Sequence, residues 1–130
     1  DLTALAALDT RLDRMTASVR ETPVLLAQPF FRYFLHRYGP RLVGIVETRP
    51  GTQPSARDLQ RLIEGAKASG ARYVLTQRQL SDQAAAAVAE SAALHVLQLD
   101  PLGGTEGKDT YADLLLTNAR LLRDAPPRTP

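Results

Sequence analysis

Residues Val24 to Pro40 read VLLAQPFFRYFLHRYGP. The opening VLLAQ is a short, almost wholly apolar run of the kind that fits a strand in the interior of a parallel sheet. After it, Phe30, Phe31, Tyr33, Phe34 and Tyr38 recur at helical spacing, so this cluster is expected to be the side of a helix that packs on a sheet rather than a ligand platform. Pro29 fits the N1 position of that helix. Gln28 sits at the junction of strand and helix, a neutral side chain at a place where α/β proteins favour chemistry.

The pattern repeats outward from this unit. RLVGIVE (Arg41 to Glu47), RYVLTQ (Arg72 to Gln77) and HVLQLD (His95 to Asp100) are further short apolar runs suited to parallel strands buried on both faces. Helical stretches separate them. PSARDLQRLIEGAKASG has Ser55 and Asp58 at capping-box spacing and Gly70 as a C-terminal stop. LSDQAAAAVAESAA has Ser81 as the expected N-cap. GKDTYADLLLTNARLL puts Tyr111, Leu114, Leu115, Asn118 and Leu122 on one face. Ahead of everything, Leu2, Leu5, Leu8, Leu12, Met15 and Val19 mark an amphipathic helix with no clear N-cap before it. The tail APPRTP is expected to fray.

One helix followed by four β–α units predicts an α/β fold, a four-stranded parallel sheet with helices on both faces and right-handed crossovers. The expected strand order is 2-1-3-4. In such sheets ligands sit beyond the carboxyl ends of the strands. That edge collects Gln28, Glu47 with Thr48, Gln77 with Arg78, and Asp100.

The chain has 130 residues, 44% hydrophobic and 23% charged, enough for one domain with a real core. Its 14 arginines and two lysines against 14 acidic residues leave a net charge of +2. The arginines are scattered, and no basic stripe supports nucleic-acid binding. The absence of cysteine excludes disulfide and thiol chemistry and fits an extracytoplasmic protein. No apolar run approaches the ~20 residues that span a bilayer. The chain begins at Asp1 and its one methionine, Met15, lies inside a helical pattern; a processed, excised or truncated chain, with something missing upstream, is therefore expected.

Motifs for catalysis are thin. Gly103, Gly107 and Lys108 in LGGTEGKDTY resemble a phosphate-binding loop, but the glycines are one residue too close and Asp109 stands where Ser or Thr would hold Mg²⁺. The simpler reading is a connection with Asp109 capping the last helix. His36 lies within the aromatic helix and His95 at a strand start, opposite the expected site edge, and both read as packing or surface residues. No metal-ligand spacing occurs within one element.

Taken together, the blocks QPFFRYFLHRYGP, GIVETRPGTQPSARDL, YVLTQRQLS, VLQLDPLGG and GKDTYADLLLTN resemble, in order and spacing, the C-terminal lobe of the solute-binding proteins of zinc and manganese ABC importers. The resemblance implies two α/β lobes joined by a long rigid helix, with the metal held between them. Residues 1–20 would be the distal part of that connecting helix, 23–124 the C-terminal lobe and 125–130 a frayed tail, with the N-terminal lobe missing. It implies a periplasmic or membrane-anchored extracytoplasmic, non-enzymatic protein that delivers its cargo to a membrane permease. Of the family's ligands from this lobe, Asp100 matches the Asp after the last strand. Gln28 stands where the family has His or Glu, and Gln77 where Glu is common. Zn²⁺ or Mn²⁺ is the implied metal, but two amides in place of imidazole or carboxylate predict weak or absent binding by this chain alone. Glu47 is a carboxylate on the same edge that could substitute. Alternatives from other classes are a metal-independent binding or interaction module that keeps the fold, and a small nucleotide-binding α/β protein using Lys108. Whether exposed lobe surface makes the chain dimerise is left open.

Overall fold

The computed structural model describes residues 1–49, 51–77, 83–100 and 111–125. Helix α1 spans Leu2–Thr16, followed by β1 (Pro23–Leu26), α2 (Arg32–Tyr38), β2 (Arg41–Ile45), α3 (Ala56–Ser69), β3 (Tyr73–Gln77), α4 (Gln83–Ala92), β4 (His95–Leu99) and α5 (Tyr111–Arg123). All strand pairs are parallel, as the alternation of the sequence predicts, and the order is β2-β1-β3-β4, the one expected.

Strand periodicity divides the interior into two cores, because successive side chains point to opposite faces. Val24, Leu26, Tyr73, Leu75 and Leu99 pack with Leu12 and Met15 of α1, Phe34, Leu35 and Tyr38 of α2, and Leu115, Leu116, Ala119 and Leu122 of α5. Leu25 and Val74 face the other way, against Ala66 of α3 and the small residues Ala85, Val88, Ala89 and Ala92 of α4. Burial on both faces holds for the central strands β1 and β3. On the outer strands β2 and β4 most residues stay partly exposed, with Val96 at 48%, because the helices cover the middle of the sheet.

Local chemistry sets most of the ends. Ser55 and Asp58 form the expected reciprocal capping box, and Gly70 closes α3 in the left-handed conformation. Asp1 caps α1, its side chain accepting from the Ala4 N–H at 2.8 Å, so the expectation of an uncapped first helix is corrected. That helix ends at Thr16 rather than Val19. Its stripe is buried only in its second half: Leu2 and Leu5 are 85% and 59% exposed.

Pro29 is not at N1. α2 starts three residues later, behind Phe31, which takes a left-handed backbone conformation. The aromatic side chains decide this boundary: the Phe30, Phe31, Phe34 and Tyr38 rings follow one another with centroids 5.4, 6.0 and 5.1 Å apart. Turning Phe30 and Phe31 toward the core wins over an earlier helical turn. Tyr33 departs from the packing expectation and is 75% exposed. At the other end of α2, Gly39 has φ +84, and a Cβ there would lie 2.7 Å from the Arg20 backbone. Only glycine lets the turn into β2 press this closely on the segment that leads into β1.

The expected caps Ser81 and Asp109 lie outside the described residues, as do Arg78 and the Gly103–Lys108 loop.

Candidate functional site

The sheet order arranges the polar residues of the carboxyl edge in the sequence Glu47, Gln28, Gln77, Asp100. Parallel pairing continues past the assigned strand ends: the Ala27 N–H donates to the Leu75 C=O and the Glu47 N–H to the Ala27 C=O, both at 2.8 Å. On the other side, Gln77 pairs with Leu99. Position 28 therefore lies between the ends of β2 and β3, on the register that carries Glu47 and Gln77. Gln28, Glu47 and Asp100 are buried, at 9%, 7% and 4% exposure, and Gln77 is partly buried.

The structure brings Gln28 and Glu47 together. Gln28 Nε2 donates to Glu47 Oε2 at 3.0 Å. Gln28 Oε1 is buried without a hydrogen-bond partner. Leaving a buried acceptor unsatisfied costs roughly 1–3 kcal/mol. The amide is thus held on one side and unspent on the other.

At the far end of the edge, Asn118 of α5 fixes Asp100. Its Oδ1 accepts from the Asp100 N–H at 2.7 Å, and its Nδ2 donates to the Asp100 C=O at 2.7 Å and to the Leu114 C=O at 2.8 Å. Asn118 is 1% exposed. It satisfies the backbone groups that β4 leaves open at its end, so the aspartate is set by a helix rather than by a loop. Sequence reading placed Asn118 on one face of α5 with Tyr111, Leu114, Leu115 and Leu122 without assigning it a role. The available signal was one amide among leucines, which a buried face tolerates only when it is hydrogen-bonded.

Glu47 and Asp100 do not converge. They follow the two outer strands, and three strand spacings separate these by about 14 Å. Among the described residues there is no group of three or more His, Cys, Asp or Glu side chains that could hold a metal. His36 is exposed on α2, where it lines an open cavity of about 730 Å³ with Arg20, Arg32, Arg37 and Arg41, on the amino-terminal side of the sheet. His95 is partly buried at the start of β4, its ring 6.1 Å from that of Tyr73. Neither histidine belongs to the carboxyl edge.

Known structures share this fold. A crystal structure of ZnuA superposes with a TM-score of 0.71 at 26% identity, covering 94% of this chain and 44% of that one. A zinc-bound ZnuA deletion mutant matches with a TM-score of 0.73 at 27% identity, over 99% of this chain and 47% of that one. Zn(II)-bound AdcAII of Streptococcus pneumoniae, at 21% identity and a TM-score of 0.73, shares the fold. The fold is therefore that of a lobe of metal-binding solute-binding proteins. The chain belongs to the ZnuA family, described as zinc-uptake complex component A, periplasmic, whose family model matches residues 2–125. Among curated proteins it is similar to the high-affinity zinc uptake system protein ZnuA of Brucella abortus, 26% identical over 126 residues, and to that of Brucella suis, 26% identical over 122. The chain spans 38% of the length of the first and 36% of the second. These relatives are transport proteins rather than enzymes. Among the described residues no helix is long and apolar enough to cross a membrane.

Proposed function

We propose that this chain acts as the C-terminal lobe of an extracytoplasmic solute-binding protein of a zinc/manganese-type ABC importer, in capture rather than catalysis. The observation that carries this reading is the row of buried and partly buried polar side chains along the carboxyl edge of a parallel sheet, ending in an aspartate clamped by Asn118. In this reading residues 1–20 belong to an interlobe connecting helix and 23–124 to the lobe. The exposed Leu2 and Leu5, which carry the apolar stripe of α1 beyond the core, support that assignment. The partners are a second lobe across the edge and the importer's permease.

Asp100 is the ligand this lobe contributes, and Gln28 and Gln77 line the site. An amide oxygen is neutral, so affinity for the cargo metal falls below that of a lobe with imidazole or carboxylate at the same positions. Isothermal titration of Zn²⁺ and Mn²⁺ into the metal-free chain tests this. Binding in the micromolar range or tighter, abolished by Asp100→Ala, supports the reading. No heat at millimolar metal overturns Asp100 as a ligand of this chain alone and favours a metal-independent module that keeps the fold, a reading consistent with the two amides on the edge.

A further inference from the structure

We propose that the open cavity on the amino-terminal side of the sheet binds the phosphate group of a phosphate ester, through Arg32, His36 and Arg41. The site lies at the opposite edge of the sheet from Gln28 and Asp100 and stands or falls independently of the cargo reading.

Tertiary structure assembles it. The arginines are scattered along the sequence, yet one cavity of about 730 Å³ gathers Arg20 from the segment before β1, Arg32 and Arg37 from α2, and Arg41 from the start of β2. His36, one helical turn after Arg32, lines it as well. So do the buried residues Leu35, Tyr38 and Pro40, which gives the cations apolar surface to stand around.

The basic side chains divide into two sets. Arg37 is committed to Asp9 and Asp13, and Arg20 bonds Asp13 through Nη2. Arg32, His36 and Arg41 are exposed and make no side-chain hydrogen bond or ion pair among the described residues. Helix formation does not account for Arg32, the first residue of α2, since a cation is disfavoured in a first turn. Three uncommitted cationic or donor groups thus meet at one cavity, against a single lining carboxylate, the exposed Glu21. An anion completes such a set.

Donor chemistry selects the anion. Guanidinium forks match phosphate oxygens and bind them bidentately, and imidazole supplies an N–H in either protonation state. The donors come from both α2 and β2, so they approach from different directions. A tetrahedral phosphate offers oxygens to each, whereas a carboxylate offers two in one plane. The cavity is of the size of small-molecule sites rather than of a bare ion, which points to an ester. Its source is a soluble phosphorylated molecule or a phospholipid headgroup, which share this chemistry.

The test follows the arginine Nε–H resonances of the full chain during titration with inorganic phosphate, and with acetate at equal ionic strength. Flotation with phosphatidylglycerol or phosphatidylcholine vesicles separates the two sources. The variants are Arg32→Gln with Arg41→Gln, Glu21→Gln, and Arg57→Gln with Arg61→Gln, which removes the same charge from α3 on the other face of the sheet. Phosphate should shift the Arg32 and Arg41 signals saturably, and acetate should not. Affinity should fall about tenfold or more in the Arg32 and Arg41 double variant, change less than about twofold in the α3 pair, and rise about twofold or more in Glu21→Gln. Phosphate binding together with phosphatidylglycerol binding that the first double variant loses identifies a headgroup, and phosphate binding alone a soluble ester; both support the site. Absence of saturable phosphate binding overturns it, whatever the vesicles do. Equal weakening in the α3 pair overturns it as a response to net charge, and tighter binding of a polyglutamate peptide overturns it in favour of an acidic protein partner.

Discussion

The contact between α1 and α2 and the carboxyl edge of the sheet are both polar, but they are built on opposite terms. At the first, Arg37 donates to Asp9 and, at 3.1 Å, to Asp13; Arg20 donates to Asp13 at 3.0 Å. The Tyr38 hydroxyl donates to Asp9 at 2.7 Å, and the Arg37 guanidinium lies 4.7 Å from the centre of the Tyr38 ring. The charged side chains there are 34–42% exposed, with each carboxylate paired. At the edge Gln28, Glu47 and Asp100 are buried; Gln28 and Glu47 share one hydrogen bond, the Asp100 backbone is clamped by Asn118, and Gln28 Oε1 is left over. Dense pairing in solvent marks a scaffold, where each pair contributes little because water and salt screen it. Sparse pairing in the interior marks a site, where an unsatisfied atom is costly and a ligand can remove the cost.

The largest effect is expected where a buried side chain serves backbone groups. Asn118→Leu keeps the volume but strands the N–H and C=O of Asp100, and should cost about 3 kcal/mol in urea unfolding. Metal binding through Asp100 should fall with it. A loss well under 1 kcal/mol would mean that water reaches this end of the edge, and the contrast with α1–α2 would fail there. A smaller effect of opposite sign is expected of Gln28→Leu combined with Glu47→Leu. Removing both partners and the leftover acceptor should raise stability by about 1 kcal/mol, since apolar replacement of a buried polar pair is neutral or stabilising. A double variant less stable than the wild type would show that the amide oxygen is satisfied in solution.

Much of this arrangement is written in local sequence. The alternation of apolar runs with helical segments gives the class but leaves the strand order, β2-β1-β3-β4, to packing, and Ser55, Asp58 and Gly70 mark both ends of α3. Glu47, Gln28, Gln77 and Asp100 are found on the carboxyl edge because a parallel sheet leaves them no other place. What local pattern does not carry is pairing between elements far apart in sequence. The Gln28–Glu47 bond depends on β2 lying beside β1, and the Asn118–Asp100 clamp on α5 folding back over the end of β4. The start of α2 is hidden for a related reason. Pro29 is a sound helix start by propensity, and only the packing of Phe30 and Phe31 against the core delays the helix to Arg32.

The smallest effects belong to the exposed network, and pH separates its members. Tyr38 is pushed up to about 12, first by burial and then by its hydrogen bond to Asp9, so its neutral form is favoured in the fold. The stability it contributes is complete below the ordinary phenol value of about 10 and is lost as pH rises toward 12. Tyr38→Phe should remove that alkaline dependence from the melting curve and delete one late-titrating phenol from the ultraviolet tyrosinate titration, at a cost of about 1 kcal/mol near neutrality. Asp13 has the opposite sign. The hydrogen bond from Arg37, aided by the charges of Arg37 and Arg20, lowers its carboxyl below the usual range despite some desolvation. Its contribution is therefore present above the ordinary carboxylate value and fades as pH falls through the lowered one. Asp13→Asn should lower the neutral melting temperature slightly and flatten the acid limb of the stability profile by the same small amount, with the difference shrinking further in high salt. A large loss at neutral pH and high salt would show that this pair supports the fold as the buried edge does, and the distinction between scaffold and site would have to rest on Gln28 alone.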